Sequence, residues 1–134
     1  MDDQAEAGTA PGDPEQMAEA EVQACFEAYE RALLANDVES MDSWFTDDAS
    51  VVRFGIADSQ HGPEEIAAWR RTADPVPADR RHVRTTVTAL GPDVVVVALE
   101  FANGARPGQG RQTQVWHRTA AGWRVAHAHV SMID

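Results

Sequence analysis

Lysine is absent from the sequence, so all 11 of its basic side chains are arginines. This absence excludes Schiff-base chemistry and P-loop phosphate binding, because both depend on a lysine amine. A single cysteine, Cys25, has no disulfide partner within the chain, which fits a reducing compartment. No apolar run approaches the ~20 residues of a membrane span, and the N-terminus lacks the basic and apolar regions of a signal peptide. We therefore expect a cytoplasmic protein that does not bind membranes.

Basic charge is also scarce in the first part of the chain. Residues 1–50 carry 14 acidic side chains against one arginine, whereas residues 51–134 carry 8 acidic side chains and 10 arginines. A net charge of −11 without a basic stripe argues against nucleic acid as a partner. The slight basic excess of the second part still allows a small anionic ligand to bind there.

One domain is expected from 134 residues, of which 43% are hydrophobic. Residues 1–14 contain almost no large apolar side chain and predict a disordered acidic tail, which leaves residues 15–134 as a single α+β domain. In residues 15–35 apolar side chains recur at spacings of three and four, which predicts a helix. Its buried stripe comprises Val22, Cys25, Phe26, Tyr29 and Leu33. Tyr29 is the polar member of this stripe, and it can either fill the core or present its hydroxyl to a ligand.

Two further helices and a strand are predicted next. Asn36 suits the left-handed residue that ends a helix, and Asp37 can cap a short second helix. Residues 49–55 predict a strand in which Arg53 lies among apolar neighbours. Arginine keeps its charge, so a buried Arg53 needs an anionic partner, whereas an edge strand would leave it exposed. Pro63 suits the first position of a third helix.

The rest of the chain predicts four strands, and the last two form a hairpin within residues 110–131. If Arg118 pairs with Trp123, strict alternation places a row of mostly polar side chains on one face. This row comprises Gln112, Gln114, Trp116, His127, His129 and Ser131. Such a face is either the wall of a polar pocket or a surface that meets solvent or a second subunit.

The segregation of helices and strands predicts an α+β fold, with three N-terminal helices packed on a curved, mostly antiparallel sheet. Residues 94–101 are apolar on both faces of their strand, which predicts a central strand covered on two sides. Because the helices cover only one face of the sheet, the other face needs a partner. We therefore expect a homodimer or a higher homo-oligomer.

The order of these elements, together with several motifs, resembles the cone-shaped, cystatin-like fold of nuclear transport factor 2, ketosteroid isomerase and the SnoaL-like polyketide cyclases. The C-terminal hairpin is also similar to the association domain of calcium/calmodulin-dependent kinase. A narrower resemblance is to a bacterial SnoaL-like family that is found beside amidase genes and linked to oxalurate and cyanuric acid catabolism. The matching segments fall within residues 17–133 and are Tyr29–Leu33 with Asn36-Asp37, Val52–Gly55, His61-Gly62, Glu64–Ile66, Gly110–Trp116, Gly122–Val125 and His129–Ser131.

The family resemblance implies a pocket between the first helix and the sheet, with Tyr29 and Arg53 as its catalytic pair. One family member is proposed to be a decarboxylating amidohydrolase that converts 1,3-dicarboxyurea to allophanate. The resemblance therefore implies an enzyme of nitrogen catabolism with a small anionic substrate, and an amidase as a possible partner. His127 departs from the alanine that is usual at its position, so the resemblance gives it no role.

The chemistry of these side chains suits a small carboxylated urea or amide. Arg53 would bind a carboxylate through its planar fork, and Tyr29 would donate a hydrogen bond, or a proton to a leaving nitrogen. His129 is the one conventional acid or base in the set. The expected substrate-binding residues are Glu100, Gln112, Gln114, His129 and Ser131.

Other chemistries have less support from the sequence. Cys25 falls on the apolar stripe of the first helix, where a thiol packs, and Ser131 lacks a nucleophile-elbow motif. His127, His129 and Glu100 lack a further ligand in sequence, so neither a metal nor another cofactor is expected. Two other function classes stay open, namely a non-catalytic ligand-binding or oligomerisation accessory protein of an amidase system, and an isomerase or cyclase of the same fold.

Overall fold

The protein is described by a computed structural model that covers residues 12–104 and 106–134. Most of the predicted tail, residues 1–11, lies outside the described residues, and the first helix begins at Pro14, which was assigned to that tail. The elements in chain order are α1 (Pro14–Ala35), α2 (Val38–Ser43), β1 (Val52–Phe54), β2 (Ser59–His61), α3 (Pro63–Thr72), β3 (Arg80–Ala89), β4 (Val94–Asn103), β5 (Gln109–Thr119) and β6 (Gly122–Ile133).

Helix α1 forms where the sequence predicted it. The Asp13 carboxylate accepts from the backbone N–H groups of Glu15 at 2.9 Å and Gln16 at 3.4 Å, which satisfies two of the free donors at the helix start. Asn36 ends the helix in the left-handed conformation, with φ of 53°. The predicted stripe is buried at Val22, Phe26 and Tyr29, while Cys25 and Leu33 pack at its margin. The stripe is therefore confirmed.

The six strands form one sheet in the order β2-β1-β6-β5-β4-β3. Only β1 and β6 pair in parallel, and the other four pairings are antiparallel. The α+β fold with a curved, mostly antiparallel sheet is thus confirmed. Strand β2 was not predicted, because its three residues are too few to show an alternating pattern.

The two faces of the sheet differ in whether helices pack on them. The inner face, on which the helices pack, carries the buried side chains of β4 at Val95, Val97, Leu99 and Phe101. The outer face carries the intervening β4 residues, and Val94 and Val96 there are only half-buried. Strand β4 has a neighbour on each side, as predicted for an interior strand, but only one of its faces is covered by the described residues.

A β-bulge in β6 determines which hairpin residues face inward. Arg118 pairs with Trp123, as the sequence predicted, and Trp116 pairs with Val125. Val115 then pairs with His127, so Ala126 is an extra residue without a partner. One extra residue moves every later side chain of β6 to the opposite face, because side chains alternate with period 2. The outer face therefore receives His127 and the alternate residues that follow it.

Candidate functional site

A cavity of about 560 Å³ lies between the helices and the inner face of the sheet. Its apolar wall includes Met41, Phe45 and Phe101. Its charged lining consists of four arginines and two aspartates, namely Arg53, Arg70, Arg80, Arg106, Asp58 and Asp74. The lining is therefore positive although the whole chain carries a net charge of −11, and a small anion is the ligand that this balance favours.

Arg53 enters the cavity from β1 and is held on three sides. Its Nη1 donates to Asp58 Oδ1 at 2.8 Å and to Gln60 Oε1 at 2.9 Å. Its guanidinium carbon lies 3.5 Å from the centre of the Trp69 ring, a close cation–π contact. The side chain is only 14% exposed. Both bonds use one nitrogen of the fork, which leaves the other two nitrogens outside these bonds.

The charge of Arg53 interacts strongly with neighbouring charges, because the side chain is largely removed from water. Burial lowers the pKa of the guanidinium, and the Asp58 carboxylate opposes that change through a hydrogen bond and its charge. The nearby Arg70 cation lowers the same pKa further. Arginine stays protonated at neutral pH nonetheless. An incoming carboxylate would relieve this accumulation of positive charge.

Tyr29 comes from α1 and lines the same cavity as Arg53. Its side chain is buried at 5% exposure, and its ring packs edge-on against Phe45 with centroids 6.0 Å apart. The phenol is close enough to Arg53 that its ionised form would raise the pKa of the guanidinium. The structure thus brings together the two side chains that the sequence analysis paired, across a helix and a strand that are distant in sequence.

Gln114 presents an amide donor at the cavity wall. The indole Nε1–H of Trp116 donates to Gln114 Oε1 at 3.0 Å. An indole nitrogen can only donate, so it fixes the carbonyl of the amide toward Trp116 and turns the NH₂ group away from it. Gln114 lines the cavity, so the group available there is a hydrogen-bond donor. A substrate oxygen would suit it.

Gln112 lines the cavity as predicted, but its amide is already engaged. Its Nε2 donates to Glu30 Oε2 at 3.4 Å, and its Oε1 accepts from Arg80 Nη2 at 3.5 Å. Glu30 also accepts from Arg80 Nε at 3.1 Å and contacts His82 Nε2 at 2.9 Å. The sequence analysis selected neither Arg80 nor Glu30. No local pattern indicates this pair, because 50 residues separate the two side chains.

Three of the expected binding residues do not face the pocket, contrary to the prediction, because the bulge turns His129 and Ser131 outward and Glu100 alternates with the inward residues of β4. His129 borders the cavity, but its register pairs it with Thr113 and its ring packs on Phe54, 5.6 Å between centroids, on the outer face. Ser131 Oγ accepts from Arg111 Nη2 at 3.2 Å on the same face. Glu100 also lies there, in register with Arg111, and accepts from Gln109 at 2.7 Å. His129, Ser131 and Glu100 therefore do not point into the cavity with Arg53.

Arg70 is a further cavity residue that the sequence analysis did not select. It comes from the last turn of α3, its side chain is 3% exposed, and its Nε donates to Asp42 Oδ1 at 2.7 Å. Its Nη2 is buried without a hydrogen-bond partner among the described residues. The residue adds a second, incompletely neutralised cation beside Arg53.

The described residues contain neither a thiol activated as a nucleophile nor a cluster of metal ligands. Burial raises the pKa of the Cys25 thiol, which Arg124 partly opposes, so the thiol is a poor nucleophile at neutral pH. Residues 12–104 and 106–134 hold no group of three or more His, Cys, Asp or Glu side chains placed to bind a metal ion. None of the helices in these ranges is both long and apolar enough to span a membrane.

The sheet topology and the cavity between helices and sheet define the cystatin-like, NTF2-like fold. A structure of an NTF2-like protein from Pseudomonas putida KT2440, 21% identical, aligns over 87% of each chain with a TM-score of 0.71. That level of identity shows the fold alone.

Two solved structures are nearer in sequence. A cystatin-like fold protein from Burkholderia xenovorans LB400 is 48% identical over 87% of this chain and 92% of its own, with a TM-score of 0.83. A protein of unknown function from the DUF3225 family of Pectobacterium atrosepticum SCRI1043 is 36% identical over 93% of this chain and 98% of its own, with a TM-score of 0.86. Among curated proteins none matches this chain.

The family model described as AtzH-like matches residues 13–134. The chain therefore belongs to the AtzH-like family. This membership agrees with the resemblance to an amidase-associated family that the motifs around Tyr29 and Arg53 indicated.

Proposed function

We propose that this protein is an enzyme of nitrogen-compound catabolism that removes a carboxylate from a small carboxylated urea or amide. The observation that carries the proposal is the position of Arg53. Its guanidinium lines the cavity between helices and sheet, is 14% exposed, and keeps two of its three nitrogens outside the bonds to Asp58 and Gln60. A planar fork of this kind matches a carboxylate through two parallel hydrogen bonds.

Tyr29 supplies the proton in the proposed reaction. When the bond between nitrogen and the carboxylate carbon breaks, its electron pair stays on nitrogen, which takes the phenolic proton while carbon dioxide leaves. Water then returns a proton to the phenolate. The cationic Arg53 would stabilise that phenolate, because an opposite charge nearby favours the ionised form of a group. The products are carbon dioxide, an amide or urea with one more N–H bond, and the hydroxide that water leaves when it protonates the phenolate.

Gln114 supports the same step by binding the carbonyl oxygen of the substrate. Its NH₂ group is directed away from Trp116 by the indole hydrogen bond of 3.0 Å. A donor fixed in advance costs no reorganisation as charge develops on that oxygen. His129 and Glu100 have no part in the step, because their side chains lie on the outer face.

Turnover of 1,3-dicarboxyurea, followed as carbon dioxide release, tests the proposal. Tyr29→Phe should lower kcat by ~100- to 10,000-fold, the usual contribution of a positioned proton donor, with little change in KM. Arg53→Gln should raise KM by ~10- to 100-fold, because it removes a charged hydrogen-bonding group. Arg84→Gln is the matched control, since Arg84 is exposed on β3 and lies in register with Glu100 on the outer face.

Retained turnover in folded Tyr29→Phe and Arg53→Gln variants would contradict the assignment. The variants should first be compared with the wild-type protein by thermal melting, since Tyr29 belongs to the buried core. A turnover that appears only when a partner amidase is added would favour the second candidate function below.

The second candidate is an accessory role in which the protein assembles through its outer face, alone or with an amidase. The half-buried outer residues Val52, His127, Val115 and Val96 lie in one row across four strands, next to Phe54. Such a largely apolar row is typical of a surface that a second sheet covers. We propose a homodimer formed by these faces, with or without catalysis in the cavity.

Sedimentation of the wild-type protein and of Val115→Asp at micromolar concentration tests the homodimer. The aspartate would place an unpaired charge in the centre of the row and should shift the protein to monomer. Thr113→Asp is a milder control on the same strand, because Thr113 is already exposed. A wild-type protein that is monomeric at that concentration would overturn the homodimer.

A further inference from the structure

A second guanidinium lines the cavity on the side opposite Arg53. Arg80 lies at the start of β3, an edge strand, whereas Arg53 lies in β1 near the other edge of the sheet. Four strand spacings of ~4.8 Å separate β1 from β3 along the sheet, and curvature brings their inward side chains nearer. Both arginines border the same cavity of about 560 Å³.

Arg80 is held by a network that uses only one edge of its fork. Nε and Nη2 donate to the two oxygens of Glu30 at 3.1 and 3.3 Å, and Nη2 also approaches Gln112 Oε1 at 3.5 Å. The guanidinium carbon lies 4.0 Å from the centre of the Phe101 ring, which supports the group from below. The Arg80 side chain is 4% exposed and that of Glu30 is 5% exposed. The orientation of this cation is thus fixed before any ligand binds.

The third nitrogen of Arg80 remains for a ligand. Nη1 takes part in none of the three bonds to Glu30 and Gln112. In the described part of the chain, the buried side-chain polar atoms that lack a partner are Arg70 Nη2 and Asn103 Oδ1, and Arg80 Nη1 is not one of them. Since Arg80 borders the cavity, Nη1 reaches the space that a ligand would fill.

We propose that Arg80 is a second anion-binding group of the cavity and selects substrates with an anionic group at each end. The inference rests on the proposed function, in which Arg53 and Tyr29 hold the reacting carboxylate. Glu30 and Gln112 are positioning residues, because their hydrogen bonds hold the fork of Arg80. Glu30 is also contacted by His82 Nε2 at 2.9 Å, a second contact that holds the carboxylate in place.

Binding of two four-carbon acids tests this assignment, measured by calorimetry at neutral pH. Succinate carries two carboxylates and butyrate carries one, so the pair differs in one anionic group. The wild-type protein should bind succinate more tightly than butyrate. Arg80→Gln should weaken succinate by ~10- to 100-fold, the range for one charged hydrogen bond, and should leave butyrate nearly unchanged. Arg84→Gln, on the same strand but facing outward, should alter neither acid.

A role of Arg80 that is merely structural predicts a different pattern. Glu30→Gln removes the partner carboxylate but keeps the cation, so it should bind succinate as well as the wild type or better. The double variant Glu30→Gln with Arg80→Gln leaves no unpaired buried charge, which keeps the measurement possible if Arg80→Gln alone does not fold. Succinate binding lost equally in Glu30→Gln and Arg80→Gln would overturn the assignment. So would a double variant that still prefers succinate, or a wild-type protein that does not prefer it.

Failure of this inference is distinguishable from failure of the proposed function. Succinate binding requires no proton transfer, so it is independent of turnover. If Tyr29→Phe keeps full turnover while the succinate preference depends on Arg80, the proposed reaction is wrong and the second anion site stands. If turnover depends on Tyr29 and Arg53 but Arg80→Gln leaves succinate binding unchanged, the proposed reaction stands and the second anion site is wrong.

Discussion

The inner and outer faces of this sheet are built from the same strands but carry different chemistry. On the inner face of β5, Gln112 and Gln114 are buried, each amide has a defined partner, and Arg53 lies close by on β1. On the outer face, His129 and Arg111 are exposed, and no helix in the described part of the chain covers them. Polar side chains are thus fixed in orientation only where helices form a cavity over them, because burial there limits their motion and excludes water.

The unpaired residue Ala126 determines which side chains of β6 face inward. Deleting it should therefore have the largest effect on the difference between the two faces. Without the extra residue, strict alternation would turn His127 and His129 inward and expose Ala128 and Val130. Two imidazoles without partners would then enter the core, so we expect a loss of stability of about 4 kcal/mol or more, or failure to fold. Urea unfolding followed by tryptophan fluorescence measures this change.

The control for that deletion is Ala126→Ser, which keeps the residue count and therefore the bulge. It should change stability by less than ~1 kcal/mol, as for other partly exposed sites. A deletion variant with the urea midpoint of the wild type would show that the bulge does not determine the faces.

A small increase in side-chain volume on the inner face should also destabilise the protein. A side-chain carbon added at Gly110 would overlap the Phe101 ring, on which the Arg80 guanidinium rests. Because Phe101 is 3% exposed and cannot move freely, Gly110→Ala should lower the free energy of unfolding by about 1–3 kcal/mol. Gly12→Ala is the control, since nothing lies within 4 Å of its added carbon. Equal urea midpoints for the two variants would contradict the close packing of Phe101.

The partial burial of Cys25 should also be measurable in the pH dependence of its reaction with an alkylating reagent. Burial raises the pKa of its thiol, so a smaller fraction is thiolate at neutral pH, and thiolate is the reactive form. Alkylation by iodoacetamide should therefore reach its half-maximal rate at a higher pH in the native protein than in urea. Cys25→Ala supplies the background rate. A native profile that coincides with the unfolded one, or lies below it, would be inconsistent with this burial.

The smallest effects are expected on the outer face. His129→Ala, Ser131→Ala and Glu100→Gln should each change kcat/KM for 1,3-dicarboxyurea by less than ~2-fold, since none of these side chains faces the cavity and exposed sites contribute little. Gln114→Ala on the inner face is the matched comparison and should reduce kcat/KM more than any of them. A large loss of turnover in His129→Ala would reverse the assignment of the two faces.

Much of the scaffold follows from local patterns in the sequence. The stripe of α1, its Asn36 end, the short α2 and the hairpin of β5 and β6 all depend on residues that are near one another in sequence. Tyr29 was identified in the same way, as the polar member of an apolar stripe. Local physics suffices for these features, because backbone capping and side-chain periodicity act over short distances.

The sequence left two possible environments for the Arg53 side chain. A charged residue within an apolar strand indicated either a buried cation with a partner or an exposed edge, and both readings were tenable. The structure selects the first, since Trp69 and Asp58 cover a guanidinium on a strand that β2 shields from the edge. Strand β2 has three residues and no pattern of its own, so the sequence could not show that shield.

The sequence by itself determined the order of the three helices and of every strand except β2, and it indicated the family whose motifs pair Tyr29 with Arg53. Only the tertiary structure decided that Ala126 is unpaired, that His129 and Ser131 turn outward, and that Arg80 meets Glu30 across 50 residues of chain. The reason is the range of the forces involved. Capping and periodicity act between near neighbours, whereas a bulge and a buried ion pair arise from how a whole sheet bends around its core.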